Sequence, residues 1–177
     1  MQRILVLGGT GMLGMPVVQQ LAADGFTVRL LARDPAKAAA MFSTGIEVVA
    51  GDVADQEQLR LAMDDCHGVH ISVGGPVDSL SAGNVAQLAP EHNIKRILYI
   101  SGSTVAAENS WFPMTAQKLE AEEAVLRCGV PYTILCPTWP MEQLPRFVIN
   151  GQATLVGDKP VPWHWFAAAD LARMVSK

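Results

Sequence analysis

The sequence has little of what marks proteins that bind nucleic acid or lie in membranes. Its formal net charge is −4 over 177 residues, without a run of like charges, so no polyanion-binding surface is predicted. Glycines interrupt the richest apolar stretch, which stays below the ~18 residues of a membrane span. The N-terminus lacks the charged region and cleavage site of a signal peptide. We therefore expect no nucleic-acid partner, no membrane contact and a cytoplasmic location.

Cysteine and histidine are also scarce. The three cysteines, Cys66, Cys128 and Cys136, lie unspaced in apolar or helical sequence, as buried thiols of a reducing compartment do. None of the four histidines stands at metal-ligand spacing from a cysteine or carboxylate. Neither a disulfide framework nor a metal site is predicted.

What the sequence does have is a regular alternation of short β-branched runs with helical segments. Half of the residues are hydrophobic, and a chain of this length buries roughly 70% of its unfolded surface in one core. Such alternation is typical of an α/β fold with a doubly wound parallel sheet of the Rossmann type. The predicted strands are 3–7, 26–32, 46–50, 68–73, 97–101 and 132–136. The first predicted helix has Leu13, Val17, Val18 and Leu21 at helical spacing and stops at Gly25, and four more cover 35–42, 56–63, 80–91 and 115–127.

The first strand runs directly into a glycine-rich turn with the pattern G-x-x-G-x-x-G on Gly8, Gly11 and Gly14. Gly8 allows a sharp turn, Gly11 allows a pyrophosphate to approach the backbone, and Gly14 allows close helix–strand packing. The helix that follows offers unpaired N–H groups at the positive end of its dipole. Because the turn joins a strand to a helix, it predicts a dinucleotide site rather than a purely structural turn.

The regular alternation of strand-like and helical segments ends after residue 138. Prolines and a Trp163-His164-Trp165-Phe166 cluster replace the alternation, and we expect Asp170 to cap a last helix. We therefore divide the chain into a nucleotide-binding domain at 1–138 and a partial substrate-lobe region at 139–177, a short lobe that looks cut short.

Five motifs together resemble the NmrA-like group of atypical short-chain dehydrogenase/reductase proteins. They are ILVLGGTGMLG, LLARDPAK, GDV, KRILYISGS and YTILCP, and the late VPWHWFAAADLARMV is similar to the family's return to the nucleotide domain. The resemblance implies a Rossmann-type sheet, a nicotinamide dinucleotide cofactor and a reductase activity. Full members run on further, which implies an incomplete substrate lobe here.

The choice of cofactor depends on Arg33. Sites that select NAD place an acidic residue ~20 residues beyond the glycine loop, whereas this chain has Arg33 there and Lys37 one helical turn on. An arginine fork binds a 2′-phosphate bidentately, which favours NADP(H). Asp34 could still accept from a ribose hydroxyl, and a solvated Arg33 is the alternative.

Two further groups are expected along the cofactor. By resemblance, Asp52 lies beside the adenine, although a turn residue would look the same. Val73-Gly74-Gly75 ends the fourth strand, where glycines would let the adenosine ribose approach, or form an ordinary loop. The full predicted cofactor set is Gly8, Thr10, Gly11, Met12, Leu13, Arg33, Lys37, Asp52, Val53, Val73, Gly74, Gly75, Ser101, Lys118 and Pro137.

The sequence carries only part of the catalytic motif that the wider superfamily uses. The wider superfamily carries Tyr-x-x-x-Lys, and Lys118 falls at that lysine while Met114 replaces the tyrosine. The resemblance therefore implies a catalytic role for Lys118; the alternative is a surface lysine paired with Glu122. Neither Tyr99 nor Tyr132 fills the gap by local spacing. Glu120, Glu122 and Glu123 are expected to form a solvated helix face rather than a paired-carboxylate acid/base site.

Several side chains are candidates for the acceptor pocket. Ser101 and Ser103 follow the fifth strand and either line the nicotinamide pocket or form a turn. Trp139 and the aromatic cluster could wall a pocket for a flat substrate, or be core, and His164 could face that substrate.

Two functions remain open. One is an oxidoreductase that passes hydride from NADPH to a small acceptor such as a quinone, whose reduced oxygens need no strong protein acid. The other is a non-enzymatic NADP(H)-dependent redox sensor or assembly factor with a protein partner or a second copy of itself. A sugar-nucleotide epimerase would need the missing tyrosine.

Overall fold

Six parallel strands form the central sheet of the computed structural model, which describes residues 2–42, 45–153, 162 and 164–177. Their order is β3-β2-β1-β4-β5-β6, so successive strands are added on one side of β1 up to β3 and on its other side from β4 onward. The predicted doubly wound fold is confirmed. The strands are β1 Arg3–Leu7, β2 Thr27–Ala32, β3 Ile46–Ala50, β4 Gly68–Ile71, β5 Arg96–Ile100 and β6 Tyr132–Leu135.

Helices cover both faces of this sheet. They are α1 Gly14–Ala23, α2 Pro35–Ala40, α3 Gln56–Met63, α4 Asp78–Leu88, α5 Pro113–Arg127 and α6 Ala168–Val175. Apolar residues of α3, α4 and α5 share one core cluster, and those of α1, α2 and α6 share the other. Because β1 lies between the two layers, Leu5, Val6 and Leu7 are all fully buried, each contributing ~1.5–3 kcal/mol.

Local chemistry explains where the helices begin. Pro35 and Pro113 occupy the first helical turn, where a missing N–H costs nothing. Asp55 caps α3 by accepting from the N–H groups of Glu57 and Gln58. The helix α5 therefore begins two residues earlier than predicted, at its proline.

One predicted cap is wrong. The last helix begins at Ala168 and its N-cap residue is Ala167, so Asp170 lies inside the first turn rather than at the cap. There its carboxylate is close to the positive helix end and pairs with Arg173.

Beyond β6 the secondary structure is short. Two parallel residue pairs join β7 (Trp139–Pro140) to β10 (Trp165–Phe166), and β8 (Val148–Ile149) pairs antiparallel with β9 (Gln152–Ala153). Trp163 lies outside the described residues. The division of the chain at residue 138 stays a prediction.

Candidate functional site

All six strands end at one edge of the sheet because they run parallel. The predicted cofactor residues therefore follow one another along this edge in the order of the strands. From β3 to β6 the sequence of positions is Asp52, Arg33, Gly8, Val73, Ser101 and Pro137. In such sheets ligands bind at this edge, at the point where the strand order reverses.

The glycine turn at this edge has no room for larger side chains. Gly8 has φ +80°, and a Cβ there would lie 2.6 Å from the carbonyl oxygen of Ser72. A Cβ on Gly14 would lie 2.2 Å from the carbonyl oxygen of Gly8. Gly9, which the predicted pattern left out, packs as closely, since its Cβ would come 2.5 Å from Cδ1 of Leu30. The turn thus brings α1 against the sheet.

The first turn of α1 fits an anion. Its N-cap residue Leu13 makes no side-chain cap, and the turn carries no acidic residue. The N–H groups at this helix start therefore have no side-chain acceptor in the described chain, and they face the edge at the positive end of the helix dipole. A diphosphate would satisfy both features, so the residues present fit a dinucleotide.

Arg33 and its neighbour Asp34 have different surroundings in the structure. Arg33 follows β2 and is exposed. Asp34 is the N-cap of α2, where its Oδ1 accepts from the backbone N–H of Lys37 at 3.0 Å. One carboxylate oxygen is therefore already used to cap a helix. The Lys37 side chain is exposed on the same short helix.

Asp52 has a local structural role. Its Oδ1 accepts from the N–H of Ala54 at 2.9 Å, and its own N–H donates to Oε1 of Gln58. This Asx turn is the turn alternative that the sequence left open. Val53 beside it accepts from the amide of Asn84 at 3.1 Å.

A cavity of about 330 Å³ opens between the glycine turn and the ends of β4, β5 and β6, large enough for a small ligand. It brings together ten residues that the sequence predicted for the cofactor or the acceptor pocket: Met12, Leu13, Val73, Gly74, Ser101, Ser103, Lys118, Pro137, Trp139 and Phe166. Met114 also lines it. Lys118 is the one ionisable side chain among the described lining residues.

Other predicted residues lie outside this cavity. Gly75 has φ +75° and begins a short 3-10 turn, and the exposed His164 is not among the lining residues. Gly8, Thr10, Gly11, Arg33, Lys37, Asp52 and Val53 belong to the first three strand ends and the turn, beside the cavity rather than in its lining. Their part in binding stays a prediction.

The ammonium group of Lys118 is hydrogen-bonded to a buried cluster of Asp78, Tyr99 and the backbone of Ile100, which the sequence did not predict. Its Nζ donates to Oδ2 of Asp78 at 2.9 Å, to the carbonyl oxygen of Ile100 at 2.9 Å and to the hydroxyl of Tyr99 at 3.3 Å. The expected alternative pairing with Glu122 is wrong, because the carboxylate partner is Asp78. Glu122 is half-buried and accepts from the Ser101 hydroxyl, so the prediction of a solvated face is wrong for Glu122. Glu120 and Glu123 are exposed as predicted.

Burial controls the chemistry of this cluster. Asp78 is 1% exposed, and burial raises the pKa of its carboxyl against the opposing effect of Lys118. Burial, followed by the charge of Asp78, raises the pKa of Tyr99 above its ordinary value. Tyr99 therefore stays a neutral donor to Oδ1 of Asp78, at 3.0 Å. It does not line the cavity, so it is not placed to act as the tyrosine of the expected Tyr-x-x-x-Lys pair.

A partial signal for this cluster exists in the sequence. Tyr99 lies within an apolar strand, and a buried tyrosine hydroxyl needs a hydrogen-bond partner. The sequence does not indicate which partner, because Asp78 and Lys118 lie 21 and 19 residues away from Tyr99. The residues around Asp78 in the sequence indicate only an ordinary acidic residue at the start of a helix.

The fold and the edge define a nucleotide-binding α/β protein of the Rossmann type. Residues 8–176 match the NAD(P)H-binding family, and the chain belongs to it, in agreement with the NmrA-like resemblance. No helix in the described ranges is long and apolar enough to cross a membrane.

Three similar proteins indicate which kinds of NAD(P)H-binding protein this chain resembles. The (4-alkanoyl-5-oxo-2,5-dihydrofuran-3-yl)methyl phosphate reductase of Streptomyces griseus is 32% identical over 76% of this chain and 46% of its own. The photosystem II assembly factor Ycf39 of Synechocystis sp. is 31% identical over 75% of this chain and 43% of its own. The NADPH complex of the quinone oxidoreductase QOR2 from Escherichia coli has a TM-score of 0.68 at 25% identity, covering 82% of this chain and 53% of that one.

This chain thus spans about half the length of these relatives. They place it in an NAD(P)H-binding group that contains reductases.

Proposed function

We propose that this chain binds NADP(H) in preference to NAD(H), and that the whole protein reduces a small, flat acceptor of the quinone class. The observation that supports this cofactor preference is the arrangement of Arg33 and Asp34 at the end of β2. Arg33 is exposed at the edge, whereas Asp34 next to it caps α2. A guanidinium is thus available for a 2′-phosphate, and the carboxylate that would accept from a 2′-OH is partly committed.

The bound cofactor supplies the hydride, and the chain supplies position and exclusion of water. The start of α1, which has neither a side-chain cap nor an acidic residue in its first turn, would hold the diphosphate. Apolar side chains of Leu13, Val73, Pro137 and Phe166 line the cavity beyond it, which suits a flat acceptor.

The absence of a protein acid in the cavity favours a quinone. Among the described lining residues Lys118 alone is ionisable, and its three N–H donors already have acceptors inside the protein. An acceptor whose reduced oxygens are acidic takes its proton from solvent, so no strong acid is needed.

A titration of NADPH and NADH against wild type and Arg33→Ala tests the cofactor proposal. We expect the substitution to weaken NADPH by ~1.5–3 kcal/mol, the contribution of a charge-assisted hydrogen bond, and to leave NADH nearly unchanged. The matched control is Arg127→Ala, an exposed arginine at the end of α5, near the opposite edge of the sheet. Equal losses for both cofactors in Arg33→Ala would contradict the assignment.

The acceptor is tested by NADPH consumption against a panel of quinones and carbonyl compounds, using the full-length protein. Turnover with quinones and weak or no turnover with simple ketones is expected. Measurable NADPH binding without turnover on either panel would refute the reductase proposal.

That outcome would favour the second candidate, a non-enzymatic NADP(H)-dependent sensor or assembly factor. Two observations support it: Met114, which by resemblance falls at the superfamily's tyrosine position, lines the cavity, and one relative is a photosystem II assembly factor. The sensor predicts a protein partner, or a second copy of the chain, whose binding changes with saturating cofactor. A partner retained equally with and without cofactor would count against it.

A further inference from the structure

The ammonium group of Lys118 has no donor to spare. An ammonium has three N–H donors, and the acceptors within reach are the Asp78 carboxylate, the Ile100 carbonyl and the Tyr99 hydroxyl, at 2.9, 2.9 and 3.3 Å. A ligand hydroxyl would have to displace one of them, and Tyr99 is the most distant. In this arrangement Lys118 acts on the cavity mainly through its charge.

That charge is balanced from the side away from the cavity. Asp78 is almost fully buried, and its two oxygens accept from Tyr99 and Lys118. Lys118 lines the cavity, whereas Asp78 and Tyr99 do not. Asp78 therefore affects a ligand in the cavity through Lys118, and the ammonium–carboxylate pair is neutral as a unit.

We propose that Asp78 is a positioning residue that sets the balance between the affinities for oxidised and reduced cofactor. The inference rests on the proposed cofactor site. A nicotinamide ring is positively charged when oxidised and neutral when reduced, so an ammonium without a counter-charge would weaken the binding of the oxidised form selectively. The carboxylate of Asp78 cancels this effect and keeps the two affinities close.

The test is the ratio of the dissociation constants for NADP⁺ and NADPH, measured by calorimetry on wild type and Asp78→Asn. The asparagine keeps the size and one acceptor oxygen but removes the charge. We expect the ratio to rise by about fivefold, the effect of one unit charge several ångströms away in a high effective dielectric. A merely structural role would change both constants in parallel and leave the ratio as it is.

Three variants provide controls. Asp78→Glu keeps the charge and should keep the wild-type ratio. Tyr99→Phe removes a hydrogen bond of the same cluster without changing its charge, and it should also keep the ratio. The double variant Asp78→Asn with Lys118→Met removes both charges and should bring the ratio back to the wild-type value.

The outcomes separate this inference from the function on which it rests. If wild type binds neither dinucleotide, the proposed function fails and the inference fails with it. If wild type binds both and Asp78→Asn keeps the wild-type ratio, the inference alone is overturned. Asp78→Ser is the second neutral variant; if both neutral variants fail to fold even with NADPH present, Asp78 is a structural residue and the inference is overturned.

Discussion

His70 makes the free energy of unfolding depend on pH in a way that the structure predicts. It lies in the middle of β4, is 1% exposed, and neither ring nitrogen has a hydrogen-bond partner among the described residues. Burial lowers its pKa from 6.5 to about 3, because the protonated ring would be a buried, unpaired charge. Folding therefore requires the neutral ring.

The sign and the size follow from linkage. Below pH 6.5 the unfolded state binds a proton at His70 that the folded state does not, so stability falls as the pH falls. At ~1.4 kcal/mol per pKa unit, the gap between 6.5 and about 3 corresponds to about 5 kcal/mol in total. Between pH 7.5 and pH 4.5 the loss due to this one group is ~3 kcal/mol, a large part of the stability of a typical domain.

The assay is urea unfolding of wild type and His70→Leu at several pH values in this interval. Leucine has nearly the volume of histidine and cannot titrate, so we expect the variant to lose ~3 kcal/mol less than wild type on acidification. His70→Gln is the matched control: it also cannot titrate, but it adds no apolar burial. It should flatten the pH dependence as leucine does. If both variants lose stability in parallel with wild type, the buried neutral histidine is not the cause.

Two further substitutions test the packing described above. Gly14→Ala should cost ~1–3 kcal/mol in thermal or urea unfolding, because its Cβ would lie 2.2 Å from the backbone oxygen of Gly8. Gly83→Ala is the control, since beyond the adjoining helix backbone no atom lies within 4 Å of its Cβ, and it should be neutral or stabilising by up to ~1 kcal/mol. Equal effects of the two would refute the close approach. Arg29→Met should cost ~2–3 kcal/mol, because the largely buried guanidinium donates to the carbonyl oxygens of Ala62 and Asp64 at 2.9 and 2.7 Å; a loss below ~0.5 kcal/mol in urea unfolding would contradict this role.

Much of the sheet edge that carries the predicted cofactor residues could be predicted because its determinants are local. The glycine turn, the strand before it and the helix after it follow one another within residues 3–23. Strand and helix alternation then forces the other strand ends to the same edge. The positions of Arg33, Val73 and Ser101 along that edge followed from chain order and parallel pairing. Asp34 as a helix cap was not foreseen, although Asp before Pro at a helix start is a local signal.

The surroundings of Lys118 could not be predicted in the same way. Local spacing offered Glu122, four residues further along the same helix, whereas the fold supplies Asp78 at 2.9 Å from a helix 40 residues earlier. Glu122 instead accepts from Ser101, which the packing of α5 against β5 brings to it. Such pairs depend on which helices pack together, and apolar periodicity does not encode that.

The amino-acid sequence by itself determined the sheet, the glycine turn and the line of residues along the strand ends, because these depend on neighbours in the chain and on the regular geometry of parallel strands. Tertiary structure alone decided which charges meet inside the protein. The pairing of Lys118 with Asp78, the buried neutral ring of His70 and the commitment of Arg29 to backbone carbonyls all arise from contacts between distant segments. Their energies depend on burial, and burial exists only once the layers have packed.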